Sequence, residues 1–236
     1  MSFRHFVFPP KETVSLSIFE SEQKFPINRI YCVGRNYAEH SREMGDDPER
    51  DPPFFFCKDV SSVFEIPFSS DSSSVPYPAE TSRYEYEVEL VVALSKGGFN
   101  ISKTDAMDCV FGYSVGLDMT RRDLQSQAKK KGRPWEVGKS FELSAPLTPI
   151  KTIQQVGVLD HGAIELRVDG VLKQKSDLSN LTWSIAEVIS HLSRLFELHP
   201  GDLIMTGTPE NVGPVKVGET MQASIEGLGR FELTVF

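Results

Sequence analysis

Glu85-Tyr-Glu87-Val-Glu89-Leu-Val-Val-Ala-Leu94 is the stretch from which the fold of this chain is read. On a strand, residues two apart share a face, so Glu85, Glu87 and Glu89 project together. Such a row is either the acidic outer face of a half-solvated strand or a set of carboxylates sharing a cation. Glu89 opens the apolar run Leu90–Leu94, a pattern typical of strands covered on both faces. A carboxylate there is costly to desolvate unless it is paired or bound to a metal.

Outward from this strand, further β signals appear at Arg29–Gly34, at Phe54–Lys58 as a buried strand, at Cys109–Leu117, at Leu203–Met205 and on both sides of Gly227–Gly229. Ile164–Val171 alternates apolar and polar residues and carries Asp169-Gly170, a hairpin turn signal. Asn36 with Glu39, and Thr120 with Asp123, have capping-box spacing and predict helices from Asn36 and from Thr120 to Lys131, the latter ended by Gly132 and Pro134. Ile185, Val188, Ile189, Leu192 and Leu195 fall on one helical face. Phe68–Pro78 reads as a Ser/Pro surface loop, and residues 1–27 as an irregular N-terminal arm before a domain spanning 28–236. Strands outnumber helices without alternating with them, so the chain is α+β, mainly β, and a doubly wound sheet is disfavoured.

The 236 residues suit one domain with a real core. A formal net charge of −8 argues against nucleic acid as a partner, because backbone phosphates call for a basic face. Cys32, Cys57 and Cys109 show neither metal-ligand nor disulfide spacing and read as reduced core thiols. No apolar run has the length of a signal peptide core or a membrane span, so a cytoplasmic protein is expected, with no membrane partner.

Asp118 stands where an apolar strand should end, either as a polar turn residue or as a third carboxylate facing a cleft. Three carboxylates without a His or Cys cluster make a hard oxygen site, suited to Mg²⁺ or Mn²⁺ and poorly to zinc. Arg122 and Gln125 lie on one face of the following helix, while Lys129, Lys130 and Lys131 read as solvated surface. His40 and Glu43 have the helical spacing at which a carboxylate orients an imidazole, a spacing that surface residues also meet by chance. His5, His161, His191 and His199 have no recognisable partner and read as structural or exposed.

Val33-Gly-Arg-Asn-Tyr-Ala-Glu-His40, Glu87-Val-Glu-Leu90, Leu117-Asp-Met-Thr-Arg-Arg-Asp-Leu-Gln125, Gly132-Arg-Pro-Trp-Glu-Val-Gly-Lys-Ser-Phe141 and Thr206-Gly-Thr-Pro209 together resemble, in sequence and order, the fumarylacetoacetate hydrolase family. The resemblance runs from about residue 28 to the C-terminus and favours the family's short acylpyruvate and fumarylpyruvate hydrolases. It implies a mixed β-sandwich roll with a few flanking helices, assembled as a homodimer. It also implies Mg²⁺ or Mn²⁺ on Glu87, Glu89 and Asp118, with His40 and Glu43 as a catalytic pair on a lid helix. Lys139 joins them as a catalytic residue, and Arg35, Arg122, Gln125 and Thr208 as substrate-binding ones. The implied substrate is a small 2,4-diketo acid; the alternatives are oxaloacetate decarboxylation or a related keto-acid isomerisation, and a metal-stabilised ligand-binding module with no catalysis. Two departures stand out: Glu85-Tyr86 replaces a His-His that often precedes the first metal glutamate, and Asn211 replaces a glycine after Thr-Gly-Thr-Pro.

Overall fold

The computed structural model describes residues 6–38, 51–68 and 73–236. Strand Val88–Leu94 lies inside a mixed eight-stranded sheet. Its order is Phe54–Lys58, Ile30–Gly34, Leu203–Met205, Val88–Leu94, Val110–Leu117, Ala145–Leu147 and Val63–Glu65, with Lys151–Thr152 also pairing with Val110–Leu117. Val88, Leu90, Val92 and Leu94 enter the main core, whereas Val91 and Ala93 enter a second core on the other side. That division explains the unbroken apolar run: each buried aliphatic side chain contributes roughly 1.5–3 kcal/mol whichever face it takes. The second core is covered by a hairpin, Ser15–Ser17 with Lys24–Pro26, through Leu16 and Phe25, so part of the segment expected to be an irregular arm is regular structure.

A five-stranded sheet packs on the main core in the order Val171–Asp177, Ala163–Val168, Thr220–Ile225, Gly229–Val235 and Ser73–Val75. Its first two strands join at Asp169-Gly170, whose φ angles of 48° and 77° fit the two-residue turn expected there. The α-helices lying wholly within the described residues are α1 (Arg122–Lys130), α2 (Glu136–Lys139), α3 (Ile153–Val156) and α4 (Ile185–Leu195). The fold is thus mainly β with a few helices, and no helix among the described residues is long and apolar enough to cross a membrane.

The structure corrects several local expectations. Among the described strands Phe54–Lys58 lies at the sheet edge, paired only with Ile30–Gly34; its buried residue is Lys58, and Cys57 is exposed rather than a core thiol like Cys32 and Cys109. The Thr120 capping box does not form, and the Asn36 one depends on Glu39, which lies outside the described residues. The Asn36 side-chain oxygen accepts from the Trp183 N–H at 2.7 Å, and Thr120 belongs to a short strand while α1 starts at Arg122. Asp123 instead holds the loop before the acidic strand, accepting from Thr81 Oγ1 at 2.6 Å and from the Ser82 N–H at 2.9 Å. A capping box does form at Ser184 and Glu187, where α4 begins. Within Phe68–Pro78, Ser73–Val75 is a strand with a buried Val75. His191 packs edge-on against Trp183, and His161 and His199 are exposed.

Candidate metal centre and cleft

The three glutamates do not lie on one continuous strand. Tyr84–Tyr86 pairs in a small sheet with Thr120–Arg121 and Gly213–Pro214, and the chain crosses into the eight-stranded sheet at Glu87. All three are nonetheless buried. Val88 pairs with Leu117, which brings Glu87 beside Asp118, and the Asp118 N–H donates to the Glu87 carbonyl at 2.9 Å. Glu87, Glu89 and Asp118 each offer an oxygen within 4.8 Å of the others. Glu85 is set apart as the anchor of Arg122, accepting from its Nε at 2.5 Å.

Buried cations balance these acids. Arg122 Nη2 donates to Glu87, and its Nη1 donates to Gln125 Oε1 at 2.6 Å. Lys139 Nζ bridges Glu87 Oε2 and Asp118 Oδ2, at 2.7 Å from each. Lys58 Nζ lies 2.8 Å from Asp118 Oδ1 and also donates to the Lys139 carbonyl, the Met119 carbonyl and Ser144 Oγ. Burial works against the charged forms of Lys139 and Arg122, but adjacent carboxylates outweigh it: Asp118 and Glu87 raise the Lys139 pKa, and Glu87 and Glu85 raise that of Arg122. Glu89 is touched directly by none of these three cations; burial first, then Asp118 and Glu87, hold its carboxyl well above the usual range, against the nearby Lys139 charge and a 2.8 Å hydrogen bond from the Gly207 N–H.

This donor set fits a hard divalent cation. The clustered oxygens are all carboxylate, and Glu89 is the one of the three that Lys58, Arg122 and Lys139 do not touch directly. With Glu89 neutral, Glu85, Glu87 and Asp118 balance Lys58, Arg122 and Lys139, and a divalent cation that ionises Glu89 leaves a net positive site. Such a site attracts an anionic ligand.

Above the carboxylates opens a cleft. Arg35, Arg122, Gln125, Lys139 and Thr208 all line it, so those expected residues are brought together. Thr208 is fixed from the five-stranded sheet: Gln174 Nε2 donates to its Oγ1 at 2.9 Å and to the Pro209 carbonyl at 2.8 Å, while Gln174 Oε1 accepts from the Val88 N–H at 3.0 Å. Arg35 has a left-handed φ of 58°, a conformation that costs a non-glycine residue roughly 1–2 kcal/mol and accumulates at functional sites. Asn211 adopts φ 66°, which explains how asparagine replaces the glycine expected there. Lys129, expected on a solvated surface, is exposed but also lines the cleft. His40 and Glu43 lie outside the described residues.

Lys58 and Gln174 went unrecognised in the sequence. For Lys58 a signal existed: a lysine closing an apolar run raises the same desolvation question as Glu89 opening one.

The sequence model described as Fumarylacetoacetate (FAA) hydrolase C-terminal matches residues 29–236. The chain is 53% identical to the fumarylpyruvate hydrolase of Pseudomonas aeruginosa, solved in complex with Mn²⁺ and pyruvate; the two superpose with a TM-score of 0.94 over 98% of this chain and 99% of that one. It is 43% identical over 189 residues to the fumarylpyruvate hydrolase of a Ralstonia species, covering 80% of this chain and 95% of the relative. It is 39% identical over 199 residues to the mitochondrial oxaloacetate tautomerase of Bos taurus, covering 84% and 87%.

Proposed function

This chain belongs to the fumarylacetoacetate hydrolase family, and on that premise we propose that it hydrolyses the C3–C4 bond of an acylpyruvate, foremost fumarylpyruvate, to pyruvate and a carboxylic acid. The observation that carries this reading is the buried carboxylate triad at the floor of a cleft lined by Arg122, Gln125 and Lys139. Glu87, Glu89 and Asp118 hold Mg²⁺ or Mn²⁺, which when bound supplies a Lewis acid for the 2-keto acid end of the substrate.

The chain's own residues account for the rest. Glu85 and Glu87 fix the Arg122 guanidinium, which fixes the Gln125 amide, so two donors face the cleft in a set geometry. Lys139, held protonated by its carboxylates, donates to oxygen on which charge develops. His40, oriented by Glu43, accepts a proton from water as its oxygen bonds to C4; the C3–C4 bond then breaks with its electron pair on the pyruvate fragment, which is protonated at C3. Water's oxygen stays with the departing acid, fumarate when the substrate is fumarylpyruvate. The roles of His40 and Glu43 rest on the sequence resemblance. A homodimer in the cytoplasm belongs to the same proposal.

Oxaloacetate presents the same keto-acid end, and the bovine relative supports a second reading in which the chain decarboxylates or isomerises it. The experiment is pyruvate release from fumarylpyruvate, acetylpyruvate and oxaloacetate after chelation and resupply of Mg²⁺ or Mn²⁺. Metal-dependent release with the highest kcat/KM on fumarylpyruvate is expected. Turnover of oxaloacetate alone would select the second reading, and no turnover of any of the three would reject both.

A further inference from the structure

Strand Val171–Asp177 leaves most of its residues exposed, and Gln174 is its buried one. The pairing with Ala163–Val168 explains why. Leu166 stands opposite Gln174 and Arg167 opposite Leu172, so Lys173 is an extra residue, and such a bulge re-aims the side chain beside it. The Gln174 amide thereby reaches from the five-stranded sheet to the eight-stranded one, at Val88 between Glu87 and Glu89. Burying an amide is costly unless its polar groups are bonded, and both ends of this one are.

Its orientation is forced by two partners whose roles cannot be exchanged. The Val88 N–H only donates, so it meets the amide oxygen, 3.0 Å away. The Pro209 carbonyl only accepts, so at 2.8 Å it meets the amide nitrogen, with the Glu210 carbonyl a longer contact of that nitrogen at 3.4 Å. The second hydrogen of the nitrogen goes to Thr208 Oγ1 at 2.9 Å, which accepts it. A hydroxyl that accepts from one side keeps its own hydrogen for another. Among the described residues none accepts the Thr208 hydrogen, and the residue is buried and lines the cleft. Thr208 follows Gly207, whose N–H is bonded to Glu89, so the hydroxyl stands at the carboxylate floor.

We infer that Gln174 is a positioning residue of this site: it makes the Thr208 hydroxyl a dedicated donor to an oxygen at the keto-acid end of the ligand. The inference rests on the keto-acid chemistry proposed above and adds to it a residue from the opposite sheet. A freely rotating hydroxyl offers a lone pair as readily as a hydrogen. One whose lone pair is occupied offers the hydrogen, which suits an anionic oxygen and is set before the ligand arrives.

The test is a double-mutant cycle, read by calorimetry of oxalate binding to the Mn²⁺-loaded protein and by kcat/KM on fumarylpyruvate. Oxalate is a small dianion with the shape of the keto-acid end. Gln174→Glu keeps an acceptor for the Val88 N–H but puts oxygen where the nitrogen was, so the Thr208 hydrogen turns to it and away from the cleft. Protonation of that carboxyl does not change this, because the Pro209 carbonyl claims the proton. Thr208→Val should weaken oxalate binding about tenfold or more, and Gln174→Glu at least as much although the hydroxyl is still present. The double variant should lose less than twofold beyond Gln174→Glu alone, and Thr208→Ser should lose less than Thr208→Val. Gln174→Met, uncharged and similar in length, frees the hydroxyl from its set direction; Thr208→Val should again cost less in that background than in wild type, which decides the matter if Gln174→Glu does not fold. Losses that multiply in either cycle, or an oxalate affinity unchanged by Thr208→Val, would overturn the inference. Wild type that neither binds oxalate nor releases pyruvate would instead refute the keto-acid reading beneath it.

Discussion

Glu87→Gln and Glu89→Gln make the same chemical change two residues apart, and the structure assigns them opposite consequences. Without metal, the Glu87 carboxylate is shared by buried Arg122 and buried Lys139. Neutralising it leaves two cations competing for the remaining acids, a loss of about 3–5 kcal/mol by comparison with other broken buried pairs. That is a large share of a stability of roughly 5–15 kcal/mol. Glu89 is already held toward its neutral form by burial, so an amide replaces it nearly like for like and still accepts from the Gly207 N–H. The expected loss in chelator is below about 1 kcal/mol, the range of ordinary substitutions that leave no buried charge unpaired. In Mn²⁺ at a hundred times its dissociation constant, wild type gains about 2.7 kcal/mol. Loss of a residue supporting a metal ligand typically weakens binding about 10–100-fold, and loss of the ligand itself should exceed that. The gain for Glu89→Gln at the same Mn²⁺ concentration should then fall below about 0.4 kcal/mol. Urea unfolding of the three proteins, with chelator and with Mn²⁺, gives every number needed. If Glu89→Gln in chelator is as unstable as Glu87→Gln, the assigned charge state of Glu89 is wrong; if it keeps the full Mn²⁺ gain, Glu89 is not a ligand.

His40→Ala should lower acylpyruvate hydrolysis about 10²–10⁴-fold while Mn²⁺ affinity by calorimetry stays near wild type; an active variant would remove His40 from water activation. Gly34→Ala places a Cβ 1.9 Å from the Phe54 ring, so the ring must leave the cleft wall: steady-state kinetics should show a raised KM for fumarylpyruvate with little change in Tm, and an unchanged KM would mean the wall is dispensable. The raised Glu89 pKa sets a pH dependence. Between about 4.3, its unfolded value, and its higher folded value, the fold keeps a proton that the unfolded chain has lost. The metal-free protein should therefore lose stability as pH rises through that window, by up to about 1.4 kcal/mol per unit, and level off above the folded pKa. Because metal binding displaces this proton, Mn²⁺ affinity should rise with pH over the same window, and calorimetry between pH 5 and 8 showing a flat affinity would contradict it.

The parts of the site legible in the sequence were those whose charge contradicted their surroundings. Glu89 could be found because it opens an apolar run, and Asp118 because it closes one. Lys58 closes an apolar run in the same way, yet Phe54–Lys58 looked like an ordinary buried strand, and a strand's pattern does not reveal that it sits at a sheet edge with only its last residue inside. Glu85 looked like a departure from the family pattern, and its tie to Arg122 becomes visible only when a strand and a helix meet. Gln174 was beyond any local reading: its partners at Val88 and Thr208 are far away along the chain on either side. The failed capping box at Thr120 shows the converse error. Thr120 has a side chain able to cap a helix, but it sits in a short strand and donates to the Asp118 carbonyl instead.

The order of the large sheet also bears on how the chain is made. Leu203–Met205 pairs with Ile30–Gly34 on one side and with Val88–Leu94 on the other, so a strand synthesised late fills the gap between two synthesised early. While a ribosome extends the chain from its N-terminus, the facing edges of those early strands have no native neighbour until residue 205 has emerged. Unpaired strand edges are where association with other chains begins, and long-range pairings of this kind fold slowly. The Gly207 N–H that meets Glu89 arrives with that same late segment. Completion of the sheet and of the carboxylate pocket thus awaits one and the same late segment, Leu203 to Gly207.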